Sequence, residues 1–144
     1  MSIFIFTEEG FLYRIASSQS VYDANKNWPD DLYEVITVDN TNYTEVKLGT
    51  KSIISKNGNQ ITYANTTKYF LNQDTLISYI NSTITTIEEW LESNDSKPLA
   101  SNVTPYLNYL KSIDISSFTY PLNYSLESYV EDQGITAIHP LELL

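Results

Sequence analysis

Cysteine is absent from these 144 residues, which removes disulfide frameworks, thiolate zinc sites, iron–sulfur clusters and cysteine nucleophiles together. Histidine occurs once, as His139, too few for an imidazole metal site or a histidine relay. We read it as a packed or solvated residue of the tail. Four glycines carry neither a P-loop nor a dinucleotide fingerprint. Basic residues are scarce as well: eight Lys and Arg face eighteen Asp and Glu, a net charge of −10. Such a chain repels phosphate backbones and anionic lipid, so neither nucleic acid nor membrane is expected as a partner. Long apolar runs are missing too. Leu71 to Leu91 is broken by Asn72, Asp74, Asn81, Glu88 and Glu89. Met1 to Phe6 is too short for a targeting segment, lacks a basic leader and runs into Glu8-Glu9.

What is present is a foldable composition with a tyrosine excess. At 42 % hydrophobic residues the chain suits one domain or two small modules. Twelve tyrosines supply large contact area with few rotatable bonds, the usual equipment of a protein-binding surface. The Asn-X-Ser/Thr triplets at Asn42, Asn65, Asn81, Asn102 and Asn123 are read as compositional.

The first half reads as β. Ile3 to Phe6 and Phe11 to Ile15 flank a turn ending in Gly10, and 51–55 and 60–64 flank Lys56-Asn57-Gly58-Asn59. Asn-Gly is the strongest short-range turn signal available. Leu32 to Val38 is a further β-rich run, and residues 41–47 suit either a strand or a helical turn. The period then changes. Leu76, Ile77, Ile80, Ile84, Ile87 and Leu91 recur at helical spacing, with Asn72 or Asp74 as the cap and 93–98 as the stop. A second helix is predicted with Thr104 as cap, Pro105 first and Val103, Tyr106, Leu107, Leu110 and Ile113 as its stripe. A third runs from Ser125 to a cap at Gly134. The expected class is α+β: an N-terminal antiparallel β module over 1–66, then a helical region over 67–144, the break falling near Asn65 to Lys68.

No catalytic constellation stands out, and the chain is not expected to be an enzyme or to hold a metal or cofactor. Asp30-Asp31 and Glu88-Glu89 are adjacent carboxylates whose side chains diverge, so neither pair makes an acid–base couple. Asp30-Asp31 after Pro29 suggests an Asx-type turn, and Glu88-Glu89 a solvated helix face. The distinctive segment is Asn27-Trp28-Pro29-Asp30-Asp31. A Trp before Pro makes a rigid extended corner carrying a large apolar plate. That plate either caps the β core or, with Tyr22 and Tyr33, faces a partner.

Around this corner the sequence resembles the tail fibre assembly proteins of tailed bacteriophages. The shared order is Phe11-Leu12-Tyr13, Tyr22-Asp23-Ala24, Trp28-Pro29-Asp30-Asp31, Glu34-Val35-Ile36 and Lys51-Ser52-Ile53…Asn57-Gly58. It continues with Tyr106, Leu107, Leu110, Ile113-Asp114-Ile115-Ser116 and Tyr120-Pro121. Lys26-Asn27 stands where the family often has Gly, Val103 where it has Trp, and 125–144 extends past the matched part. The resemblance implies a chaperone that binds the C-terminal, distal region of a trimeric tail fibre and helps it fold and trimerise. It would act in the host cytoplasm during assembly, with retention on the virion tail and homo-oligomerisation left open. Tyr13, Tyr22, Trp28, Pro29, Asp30, Asp31 and Tyr33 are the expected partner-binding residues. The alternatives are a structural virion, baseplate or fibre-tip component without chaperone activity, and an acidic DNA mimic. Lys47, Lys51, Lys56 and Lys68, interleaved with the acids, argue against the last.

Overall fold

Two tight turns fix the sheet registers. In the computed structural model, which describes residues 1–66 and 69–144, strand β1 (Ser2–Phe6) pairs antiparallel with β2 (Leu12–Ala16). Thr7 N–H donates to Phe11 O at 2.8 Å and closes that turn. Strand β3 (Glu34–Val38) lies on the opposite side of β1, giving the order β2-β1-β3. Strands β4 (Lys51–Asn57) and β5 (Gln60–Asn65) form a separate hairpin, with Gly58 at φ +61° in the turn. The protein is α+β, with the antiparallel strands first and most of the helix after them.

The chain divides into two units, Met1–Thr66 with Leu141–Leu144, and Thr67–Pro140. In the first, every residue of β1 is buried, because both faces of the sheet are covered over this central strand and alternation has no solvent side to serve there. On one face Phe4, Phe6, Ile15, Ile36 and Val38 meet Tyr43 of helix α2 (Asn40–Lys47), with Ile53, Ile61 and Tyr63 of the hairpin against them. On the other, Ile3, Ile5 and Ala16 meet Tyr22 of helix α1 (Gln19–Asn25), together with Trp28, Tyr33 and Leu144. Burying each such side chain contributes about 1.5–3 kcal/mol. The four C-terminal residues, grouped by sequence with the helical region, belong to this first unit. Leu143 and Leu144 are each 3 % exposed, and Arg14 Nε donates to Leu143 O at 2.9 Å. Two positions of the expected break, Thr67 and Lys68, lie outside the described residues.

Local chemistry decides the element starts. Residues 41–47 are helical because the Asp39 carboxylate accepts the Asn42 N–H at 2.7 Å. Ser18 does the same for α1 through Val21 N–H, a helix that its few apolar residues hide from periodicity. Asp30–Leu32 is a 3-10 turn closed by Leu32 N–H on Pro29 O at 3.3 Å, with no side-chain cap, so the Asx turn expected there does not form.

In the second unit, helix α3 (Gln73–Asn94) starts in a reciprocal Asn72–Thr75 capping box. It packs on α4 (Ala100–Lys111); Leu76, Ile80 and Ile87 are buried on α3, and Val103, Tyr106, Leu107 and Leu110 on α4. The start of α4 departs from the sequence expectation. The helix begins after Leu99, Thr104 Oγ1 donates back to Ala100 O at 3.0 Å, and Pro105 sits inside. Burial of Leu99, Ala100 and Val103 outweighs the preference of proline for a first turn. Helix α5 (Leu126–Asp132) is capped by Ser125, and Gly134 follows it at φ +82°. Among the described residues no helix is long and apolar enough to cross a membrane.

Candidate functional site

The aromatic residues singled out in the N-terminal module come together at one end of its sheet. Tyr13 stands at the β2 irregularity opposite Ile5 and Phe6, and Tyr33 immediately precedes β3. Their rings stack with centroids 4.4 Å apart and planes 10° from parallel. Trp28 meets both edge-on, at 5.4 Å from Tyr13 and 5.5 Å from Tyr33, and reaches Tyr22 at 6.1 Å. These separations lie in the range where aromatic pairs gain energy beyond area burial. The extended backbone of Pro29 (φ −63°, ψ 142°) turns the chain so that Trp28 lies on the cluster while Asp30 and Asp31 point outward.

Cations frame the cluster. The Arg14 guanidinium lies 4.3 Å from the Tyr13 ring centroid, and its Nη1 donates to Tyr13 O at 2.7 Å. Lys26 Nζ lies 4.9 Å from the Tyr22 ring and pairs with the carboxylate of Asp30. Hydrogen bonding to Tyr13 pushes the Tyr33 hydroxyl above the usual phenol range. Among the described residues the Tyr22 hydroxyl and Trp28 Nε1 are buried without a hydrogen-bond partner, so ring contacts and packing on the core hold the indole.

Exposure separates the seven candidates. Tyr22 is 3 % exposed and belongs to the core; it supports the surface from below and offers a partner little area. Tyr13, Trp28 and Tyr33 are half-buried, and Pro29, Asp30 and Asp31 are exposed. Trp28 thus packs on the core with part of its surface and leaves the rest open. Beside it, α1 and β3 border an open depression of about 380 Å³ lined by Gln19, Tyr22, Asp23, Lys26, Tyr33 and Val35. Of its lining, Val35 is 37 % exposed, and Leu32, the chain neighbour of Tyr33, is 49 % exposed.

The remaining sequence candidates lie elsewhere. Glu88 pairs with Lys111 at 3.0 Å and Glu89 is exposed, while His139 is half-buried. Among the described residues no three His, Asp or Glu side chains converge as a metal site. Sequence reasoning passed over a second aromatic group in the second unit, where Phe118 meets Tyr129 at 4.7 Å and Tyr124 at 6.3 Å. It also passed over two buried carboxylates, Glu127 and Glu142, which accept from Tyr79 and Tyr43. A glutamate in an apolar run, as in Leu141-Glu142-Leu143-Leu144, is the signal available for the second. Three of the twelve tyrosines are buried and nine half-buried, so each ring outside the core offers an edge or a face while remaining anchored.

This arrangement can supply shaped apolar contact bordered by carboxylates; it juxtaposes no nucleophile with a base. Comparison of the chain with protein-family models, with curated proteins and with solved structures finds no match.

Proposed function

We propose that this protein is a tail fibre assembly chaperone, gripping the distal region of a trimeric phage fibre through the aromatic end of its N-terminal module. The observation that carries the reading is the Tyr13–Trp28–Tyr33 cluster, half-open beside the acidic Pro29-Asp30-Asp31 corner. Pre-stacked rings lose little conformational freedom on binding, which is what makes aromatic anchors effective. The order of motifs shared with the fibre assembly family supports the same reading.

The physics of the client supports it as well. Trimeric β-rich tips depend on non-local strand pairing, fold slowly and expose edges that aggregate. A binder that prefers the folded tip stabilises it by mass action without covalent chemistry. Lysines interleave with the acids as ion pairs, Lys51 with Glu45 and Lys56 with Glu34, both at 2.7 Å, a pattern that suits a DNA mimic poorly.

Co-expression with the distal fragment of the fibre encoded in the same genome tests the proposal. The expected result is a higher yield of soluble trimer and co-purification of the two chains. Neither effect appearing would defeat it. A fibre that trimerises unaided, with this protein stoichiometric in the mature particle, would replace the chaperone by a structural virion component.

A further inference from the structure

Strand β3 ends its sheet, and nothing among the described residues pairs with its outer side. Which groups it presents follows from the turn. Thr7 at the end of β1 aims its N–H toward β2. Alternate residues of a strand address opposite neighbours, so Phe6, Phe4 and Ser2 address β3. Their partners Glu34, Ile36 and Val38 therefore take the inward bonds. Val35 and Thr37 aim both N–H and C=O outward, and both are exposed.

An unpaired edge of this kind is a template for another strand unless it is covered, kinked or blocked by proline. The ladder from Glu34 to Val38 is regular and proline-free. Helix α1 lies over β1 and β2 and leaves β3 open on that face. The depression of about 380 Å³ runs between α1 and β3 and has Tyr22, Tyr33 and Val35 in its wall. An edge strand with a helix alongside is the geometry in which an extended peptide gains main-chain bonds from the edge and side-chain contacts from the groove.

Charge selects the occupant. Asp23 and Asp30 line the groove beside one cation, Lys26. Asp30 holds Lys26, which leaves Asp23 without a cation among the described residues. A second copy of this chain would bring the same acids and another −10 charges, so self-pairing is disfavoured. We propose that the β3 edge is a strand-accepting site for an extended, β-forming segment of the partner that carries Lys or Arg beside alternating apolar residues. This rests on the partner-binding reading above and states how the partner is held.

Amide hydrogen exchange on the full-length protein tests it, with a short synthetic Val/Thr-alternating peptide flanked by Lys as probe and a Glu-flanked version as control. At a Lys-peptide concentration about ten times its Kd, exchange at Val35 and Thr37 should slow roughly tenfold, since only the free fraction exchanges. The Glu peptide should protect neither amide. Thr37→Pro, which removes an outward N–H and no ladder bond, should abolish the effect while the circular dichroism spectrum is retained. Unchanged exchange at Val35 and Thr37, or equal protection by both peptides, overturns the inference; because it needs only the unsubstituted protein, this readout holds even if Thr37→Pro misfolds. The fibre assay separates the two proposals. Protection by the Lys peptide with no fibre effect removes the chaperone and keeps the edge site, whereas rescue of the fibre without protection does the reverse.

Discussion

Tyr43 Oη donates a 2.6 Å hydrogen bond to Oε2 of Glu142, a residue 99 positions further along the chain. Both side chains are buried, and Lys47 Nζ stands 3.6 Å from the other carboxylate oxygen. A buried carboxylate is tolerated only when its lone pairs are engaged, so this contact helps hold the tail in the first unit. Tyr43→Phe removes one donor and leaves the acceptor buried. The expected loss is about 1–3 kcal/mol, read as a lower urea midpoint for the first unit. An unchanged midpoint would mean that the other groups around Glu142 suffice.

The two tryptophans allow the units to be followed separately, since Trp28 lies in the first and Trp90 in the second. Trp28→Ala should cost the first unit about 2–3 kcal/mol, below the value for a fully buried ring because Trp28 is only half-buried. Fibre co-purification should fall, while Trp90 fluorescence keeps its native unfolding midpoint. Loss of the Trp90 transition as well would assign Trp28 to stability and would remove it from the binding site.

Acid should weaken the first unit through Asp39. The hydrogen bond from Asn42 N–H holds its carboxyl below the usual value of about 3.9. A depressed folded pKa gives stability that is present above the unfolded value and disappears as the pH falls through the folded one. Asp39→Ala should therefore flatten the acid limb of stability, followed by Trp28 fluorescence in a Trp90→Phe background. A limb of unchanged slope would assign the acid response to other carboxylates.

Alkali should act on the second unit with the opposite sign. Burial, and then the Glu127 charge beside it, push the Tyr79 hydroxyl far above its usual range. A raised folded pKa gives stability that is present below the unfolded phenol value of about 10 and lost as the pH rises. Tyr79→Phe should lower stability at neutral pH and blunt the alkaline decline, with Trp90 as reporter. Equal alkaline slopes for the variant and the unsubstituted protein would exclude Tyr79 as the source.

Pro105 lies inside α4 and has no N–H for the carbonyl one turn earlier. Pro105→Ala restores that donor at an exposed position. Stability of the second unit should rise by about 1–3 kcal/mol, visible as a higher thermal midpoint of the Trp90 signal. A fall instead would show that the ring contributes contacts worth more than the missing bond.

What the sequence determined by itself is the part written in neighbouring residues. The hairpin turn at Gly58, the helical stripe from Leu76 to Ile87, the Ser125 cap and the Gly134 stop each follow from backbone preference and side-chain spacing within a few positions, which is also why the α+β class was legible. The Trp28-Pro29 corner was legible as a rigid aromatic feature, but its surroundings were not. Stacking of Tyr13 on Tyr33 depends on β1 lying between β2 and β3, and no local rule sets that strand order. The start of α4 misled for a related reason: Thr104-Pro105 is a good local start signal, overridden by the burial of Leu99 and Ala100. Only the tertiary structure decided that Leu141 to Leu144 complete the first unit and that Glu142 meets Tyr43. Contacts between distant residues are fixed by how faces pack, and a linear pattern records which residues want burial without recording which partners will bury them.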